Sequence, residues 1–449
     1  MSLEQMFTNH FESRLALAES LLIENSLQQL LIFSGSAKRQ FRDDQQLPFA
    51  ANPYFRRMLP LPAHTNCALL IRLGHKPRLY FFNPTDFWHL SAELPQGSWL
   101  DGVEVVEITS VEQIGAQLER PAEIAFIGEE AALATRWGIT QINPQPLLAA
   151  FDWASGIKTA YELQCLRDAN LIAVEGHLSA ADTFAEGFSE FGINLAYLAA
   201  TGQRESELPY GNIVGLNQHA AILHYQQLSK QRPEKSYSFL LDAGAQVRGY
   251  AADITRTYVA EGARKHTAAG ALFGELIDAM ETLQQQLCQQ AVPGQCFVEL
   301  HQQCHQYLAE LLARFELVLL SPEAILEQGI TRTFMPHGLG HLLGTQVHDA
   351  GGHQADAQGT LMAPPAEYPL LRLTRTLQPG MAITIEPGLY FIEPLLADLA
   401  ASPQGKAVNW SKVDTLRPYG GIRIEDNIQV LEQGIENITR DAFAAAEAS

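Results

Sequence analysis

The sequence predicts two folded domains, a small α/β domain over residues 1–158 and a larger α+β domain over residues 159–449. Three observations carry this. Helix-like and strand-like stretches alternate through the first part of the chain, the order expected of an α/β domain. Two long helical patterns open the second part, which then turns to strands and loops. The segment FDWASGIKT at Phe151–Thr159 separates the two regimes. A chain of 449 residues is long enough for each domain to bury its own core, at about 100–200 residues per domain.

In the first domain, Leu15, Leu17, Leu21 and Leu22 fall on a roughly helical stripe, and QLLIFSG then has the continuous apolar character of a strand entering a turn. CALLIRLG and RLYFFN, divided by HKP, form a hairpin pattern, and VEVVEI and EIAFIG each predict a short strand. The stretch from Asp43 to Pro62 is rich in Pro, Asn and aromatics without a period, which predicts a long ordered loop. In the second domain, apolar residues recur at three- and four-residue spacing from Tyr161 to about Phe188 and again through INLAYLAATG. Further helices are predicted around Phe273–Gln290 and Glu299–Phe315, split by Pro293-Gly294, and the alanine-rich tail is expected to fray.

Composition narrows the function. Thirty Lys and Arg oppose fifty Asp and Glu, a net charge of −20 that disfavours nucleic acid and anionic membranes as partners. No apolar run approaches the roughly 18 residues of a membrane span, and Glu4 and Glu12 stand where a secretory leader would be basic and then apolar. A cytoplasmic location is therefore expected. The five cysteines contain no C-x-x-C pair, so they are expected to be free thiols rather than disulfides or zinc ligands.

The chemistry concentrates in four stretches of the second domain. SFLLDAGAQVRGYAADITRTY, Ser238–Tyr258, is a hairpin pattern. A turn centred on Val247-Arg248 would set Asp242 directly opposite Asp253, a like-charge pair that destabilises a sheet unless something neutralises it. GLGHLLGTQVHD lacks the spacing of a dinucleotide fingerprint, but it brings His337, His341 and His348 into one glycine-rich loop. MAITIEPGLYF and GGIRIEDNIQV are strand-like, and the period of two puts Thr384 with Glu386, and Arg423 with Glu425, on one face each. Four clustered carboxylates must either take up protons or bind cations, and two divalent ions balance their charge and activate a water at neutral pH.

The order LDAG-x6-AADITRT, HGLGH-x6-H, TIEPG and IRIEDN resembles the metal-dependent branch of the pita-bread peptidases, which includes methionine aminopeptidase, aminopeptidase P and prolidase. QFRDD, PYGNIV, FMPHGLGH and GGIRIEDN bring it nearest to bacterial prolidases, among them the organophosphorus acid anhydrolase type. The resemblance covers nearly the whole chain. It implies a pita-bread (creatinase/aminopeptidase-like) catalytic domain after an N-terminal α/β domain that serves dimerisation and closure of the active site.

The resemblance further implies that Asp242, Asp253, His341, Glu386 and Glu425 hold two divalent metals, Mn(2+) by family habit, with Co, Fe or Zn compatible with the donors. Glu386 would move the proton, one metal and a histidine, His348 or His224, would stabilise the oxyanion, and Arg423 would sit beside Glu425. Arg372 and His337 would meet the substrate carboxylate, Tyr210 would line the pocket, and Asp44 would reach the active site of the second subunit of a homodimer. Phe297 would belong to the substrate pocket, where organophosphorus acid anhydrolases have a tyrosine that also crosses the dimer, so this chain departs from them there. The implied activity is cleavage of Xaa-Pro dipeptides, whose tertiary amide has no N–H, with hydrolysis of organophosphorus triesters as a side reaction. The alternatives are an aminopeptidase P acting on longer peptides and a non-catalytic binding protein of the same fold.

Overall fold

The computed structural model describes residues 1–88 and 90–448, which divide into two compact units. The first comprises Met1–Ser155, Thr159–Gln164 and Asp356–Thr360, and the second Gly156–Lys158, Cys165–Ala355 and Leu361–Ser449.

The first unit is built on one six-stranded sheet. In chain order its elements are α1 (Leu3–Glu24), β1 (Gln29–Phe33), α2 (Pro53–Met58), β2 (Ala68–Arg72), β3 (Arg78–Phe82), β4 (Glu104–Ile108), α3 (Glu112–Gln117), β5 (Ile124–Ile127), α4 (Ala131–Arg136), β6 (Gln141–Ile142) and α5 (Gln145–Ser155). The strand order is β4-β3-β2-β1-β5-β6, with β1 antiparallel to β2 and parallel to β5. Every residue of β1 is buried, as a central strand covered on both faces requires. One core joins Leu31 and Phe33 to Phe126, Ile114 and Leu133. The strands and the 68–82 hairpin are those the sequence predicts. Two features differ. The buried stripe of α1 runs through Phe7, Phe11, Ala18 and Leu22, while Leu15 and Leu17 are only half-buried. The expected loop at 43–62 contains α2, because the Asn52 side chain accepts from Tyr54 N–H and Pro53 occupies the first helical position.

The second unit carries α6 (Ala160–Ala185) from Cys165 onward, α7 (Glu190–Thr201), β7 (Ile213–Leu216), β8 (Ser238–Asp242), β9 (Gln246–Val247), β10 (Tyr250–Ala251), β11 (Thr255–Val259), α8 (Glu261–His266), α9 (Ala268–Gln290), α10 (Phe297–Arg314), α11 (Pro322–Glu327) and α12 (Thr331–Phe334). There follow β12 (Ala382–Ile385), β13 (Gly388–Tyr390), α13 (Glu393–Ala401), α14 (Trp410–Leu416), β14 (Gly421–Arg423), β15 (Asp426–Val430), β16 (Ile435–Asn437) and α15 (Ile438–Glu447). Two three-stranded sheets, β11-β8-β7 and β12-β15-β16, form its centre. Phe184, Ile193 and Tyr197 pack on Val214, Phe239 and Leu241 of the first sheet. Phe273, Leu276, Met280 and Leu283, spaced on one face of α9, share a core with Ile383, Ile385 and Ile428 of the second. The alanine-rich tail is folded rather than frayed: Asn437 caps α15, and Ala442 is buried with Ala169 and Ala173 of α6. Among the described residues no helix is long and apolar enough to cross a membrane.

Candidate metal centre and substrate cavity

The hairpin after β8 turns at Arg248-Gly249, both with positive φ (52° and 88°), rather than at Val247-Arg248. A two-residue turn needs that conformation at both central positions, and Gly249 adopts it without strain. The register accordingly sets Asp242 opposite Thr255, and Asp253 falls in the break between β10 and β11. The direct facing of the two aspartates is thereby corrected, yet both side chains line one cavity.

The two acidic strands are each interrupted at the acid. β12 pairs with β15 through Ile385 and Asp426, and β13 with β14 through Gly388 and Arg423. The register is continuous across the interruption, so Glu386 lies opposite Glu425. His341 is brought to the same place by pairing with Thr384: its N–H donates to Thr384 Oγ1 at 3.1 Å, and its carbonyl accepts from Thr384 N–H at 3.0 Å. Gly340 is obligatory there, since a Cβ would lie 2.0 Å from the Thr384 carbonyl oxygen.

At the centre, ligand atoms of Asp253, His341 and Glu425 lie within 4.8 Å of one another. His341 Nδ1 donates to the Leu342 carbonyl oxygen at 3.0 Å, which turns Nε2 toward Asp253 Oδ2 at 3.3 Å and Glu386 Oε1 at 3.6 Å. That is the tautomer a metal-ligating imidazole needs. Glu425 Oε2 accepts from Thr255 Oγ1 at 2.7 Å. Asp242 accepts from Tyr210 Oη at 2.8 Å and from Arg423 Nη2 at 2.7 Å.

Burial and mutual repulsion dominate the electrostatics. Burial raises Asp242 above its usual range, Arg423 opposing and Asp253 adding to the rise. Glu386 is raised by burial to about 7, although His341 pulls the other way, and Glu425 is raised by burial together with Asp253, Glu386 and Asp242. Only Asp253 is held low: burial raises it, but the hydrogen bond and charge of His341, with Tyr210 and His348 adding to them, together outweigh burial. A set of acids that retains protons in the absence of cations, with one imidazole and oxygen donors otherwise, fits hard or borderline divalent metals.

The cavity over this centre has a volume of about 370 Å³ and is also lined by His224, His337, His348, His353, Leu370 and Arg372. The structure thus brings together ten of the residues singled out in the sequence: Asp242, Asp253, His341, Glu386, Glu425, His224, His337, His348, Arg372 and Arg423. Tyr210 joins them through Asp242. The His348 ring stands edge-on to His341 with centroids 4.5 Å apart, and burial with nearby His341 and Arg372 lowers it to about 4. Phe297 is placed differently: it is wholly buried at the start of α10, in the core with Leu300 and Leu373, and does not line the cavity. Asp44 belongs to the first unit, exposed, with its N–H donating to Asp43.

Two residues absent from the sequence reading support this site. Tyr390 Oη accepts from Arg423 Nη1 at 2.9 Å and donates to His337 Nε2 at 2.8 Å, while His337 Nδ1 donates to the Gly338 carbonyl oxygen. Its ring fills the space beside Gly388 and Gly421, where a Cβ would lie 2.5 Å from it, and glycines inside strands were the available signal. Asn427 holds the main chain of Asp253.

Comparison with known proteins follows the same lines. Residues 5–153 match the model of the Xaa-Pro dipeptidase N-terminal domain, and residues 164–432 match that of metallopeptidase family M24. An Xaa-Pro dipeptidase of Aeromonas hydrophila is 46% identical over 444 residues, covering 98% of this chain and 99% of its own. One of Shewanella woodyi is 47% identical over 441 residues, covering 96% and 98%. Among solved structures, zinc-substituted aminopeptidase P of Escherichia coli in complex with product superposes with a TM-score of 0.70 at 23% identity over 100% of this chain and 99% of that chain. Proline aminopeptidase P II of Yersinia pestis gives 0.70 at 22% over the whole of both. At that identity the likeness concerns the fold, and it bears out an N-terminal α/β domain followed by a pita-bread domain. Its catalytic part matched over more than half of its length, the chain belongs to metallopeptidase family M24.

Proposed function

We propose that the protein hydrolyses Xaa-Pro dipeptides, with Asp242, Asp253, His341, Glu386 and Glu425 holding two divalent metals. The observation that carries this is one cavity of about 370 Å³ lined both by these five acidic and imidazole donors and by the guanidinium of Arg372. Bound there, two divalent cations would supply Lewis acidity and an activated water at neutral pH.

The residues of the chain account for the rest. An Xaa-Pro bond is a tertiary amide, so its nitrogen must gain a proton as the C–N bond breaks, and the water oxygen ends on the carbonyl carbon. Glu386 faces both His341 and the cavity, and in this mechanism it carries the proton from water to the proline nitrogen. His348 or His224, both lining the cavity, donates to the oxygen that gains charge at the carbonyl. Arg372 pairs with the proline carboxylate, for which the planar guanidinium is suited, and His337, its two ring nitrogens held by Gly338 and Tyr390, lines the same cavity. Arg423 fixes Asp242, and Tyr210 holds its other oxygen.

The oxygen-rich donor set with one imidazole supports manganese as the resident metal. A homodimer in which Asp44 reaches the second subunit's site has support in the large apolar side chains left exposed on the first unit, among them Phe41, Phe87 and Trp88. Five cysteines outside any disulfide accord with a cytoplasmic protein. Attack on phosphorus triesters draws on the same activated water.

The deciding experiment strips the protein with a chelator, restores Mn(2+) and follows proline release from Leu-Pro beside cleavage of Gly-Pro-Ala. Metal-dependent turnover of the dipeptide alone is expected. Efficient cleavage of the tripeptide would move the function to that of an aminopeptidase P, and metal uptake without turnover of either would leave a binding protein.

A further inference from the structure

Asp253 lies in no strand, yet its peptide is fully partnered. Its N–H donates to Asn427 Oδ1 at 3.0 Å, and Asn427 Nδ2 donates to its carbonyl oxygen. Two residues away along each chain, in the antiparallel sense, the Glu425 N–H donates to the Thr255 carbonyl oxygen at 3.0 Å as an isolated backbone bridge. The carboxamide of Asn427 therefore takes the place that a main-chain partner would occupy on the next rung. The main-chain N–H of Asn427 is not free to take it, because it donates to Thr439 Oγ1, while Asn427 keeps its place opposite Thr384 in the β12–β15 register. One residue thus belongs to two ladders, by its backbone to the strand that runs into Glu386 and by its side chain to the segment carrying Asp253.

Asn427 is itself fixed from behind. Asn170 Nδ2 of α6 donates to its Oδ1 at 3.0 Å, and Thr439 Oγ1 of α15 accepts its N–H at 2.9 Å and donates to Asn170 Oδ1 at 2.7 Å. All three side chains are buried. Only an amide offers a donor and an acceptor in the fork that a peptide group requires.

We propose that Asn427, held by Asn170 and Thr439, is a positioning residue that sets the metal affinity of the site by fixing the backbone of Asp253. The proposal rests on Asp253 being a metal ligand. A ligand on an unpaired segment loses affinity when its supports go, by roughly 10- to 100-fold per outer partner.

The test titrates Mn(2+) into the chelator-stripped full-length protein by calorimetry, for wild type, Asn427→Ala, Asn170→Ala and Asp253→Ala, with the melting temperature of each metal-free form measured alongside. Asn427→Ala should weaken Mn(2+) binding roughly 10- to 100-fold, and Asn170→Ala, which leaves both bonds to Asp253 in place, should weaken it less but measurably. At saturating Mn(2+), kcat should recover to within a few-fold. Should Asn427→Ala fail to fold, Asn170→Ala decides. A lowered melting temperature with an unchanged binding constant in folded variants would overturn the proposal and leave a structural role. Unchanged binding in Asp253→Ala would instead remove the ligand assignment on which it stands.

Discussion

Lys158 Nζ donates to Asp349 Oδ2 at 2.8 Å with both side chains out of solvent, so a buried ion pair ties the start of the second unit to the residue next to His348. Removing the cation from a wholly buried carboxylate destabilises by about 3–5 kcal/mol, whereas replacing both partners with apolar residues costs far less. Lys158→Met should therefore lower the denaturant midpoint steeply, and Lys158→Met with Asp349→Leu should regain part of the loss. Equal midpoints for the single variant and wild type would show that the pair contributes nothing.

Gly340→Ala should cost about 1–3 kcal/mol of stability, as overpacking does. The Cβ would meet a main-chain oxygen, that of Thr384, which cannot rotate away. Because that contact is part of the pairing that delivers His341, the metal content of the purified variant should fall as well. Elemental analysis with thermal unfolding measures both.

Arg372→Ala should raise KM for Leu-Pro roughly 10- to 100-fold, the range of a lost charge-assisted hydrogen bond, with kcat changed much less. An amidated dipeptide, which has no terminal carboxylate, should distinguish wild type from the variant only weakly. Equal KM values for the acid in the two proteins would place the carboxylate elsewhere.

A pair of buried histidines should make the protein acid-sensitive. His301 and His305 lie one turn apart on α10 with ring centroids 4.7 Å apart, and Tyr368 stacks on His305. Burial lowers His305 to about 4, with Arg332 adding to the effect, and lowers His301 to about 2, with His305 and His337 adding to it. In each case the folded value lies below the unfolded one, so the unfolded chain binds more protons between the two. Stability is then complete above about pH 6.5 and is lost as pH falls through the window, by about 1.4 kcal/mol per pH unit for each histidine. His305→Gln should flatten the stability profile of the metal-free protein between pH 6 and about 4, measured by urea unfolding.

Much of the site was legible because it consists of short motifs whose chemistry is local. Glu386 and Glu425 could be placed on strands from alternation alone, although alternation could not show that both strands break there and set the two acids opposite each other. The turn before Asp253 was misplaced by one residue because the decisive property is the φ of Gly249, which apolar periodicity does not encode. The helix at Pro53–Met58 was hidden among prolines and aromatics, although Asn52-Pro53 is a capping signal. Tyr390 and Asn427 escaped notice for a different reason. Each looks like an ordinary strand residue, and its role lies in partners 33 and 174 positions away. Phe297 was placed by likeness to other proteins, and its burial in the core follows from its position on the apolar face of α10.

The helix α15 has a bearing on how the protein is made. Thr439 lies in it, after all five candidate ligands in the chain, and it holds the asparagines that hold Asp253. A nascent chain on the ribosome therefore cannot complete the centre until the segment through Thr439 has emerged and docked, since the closing contacts join residues far apart in sequence. If the asparagine support sets metal affinity as proposed above, the centre reaches its full affinity only once α15 has docked, late in the folding of the chain.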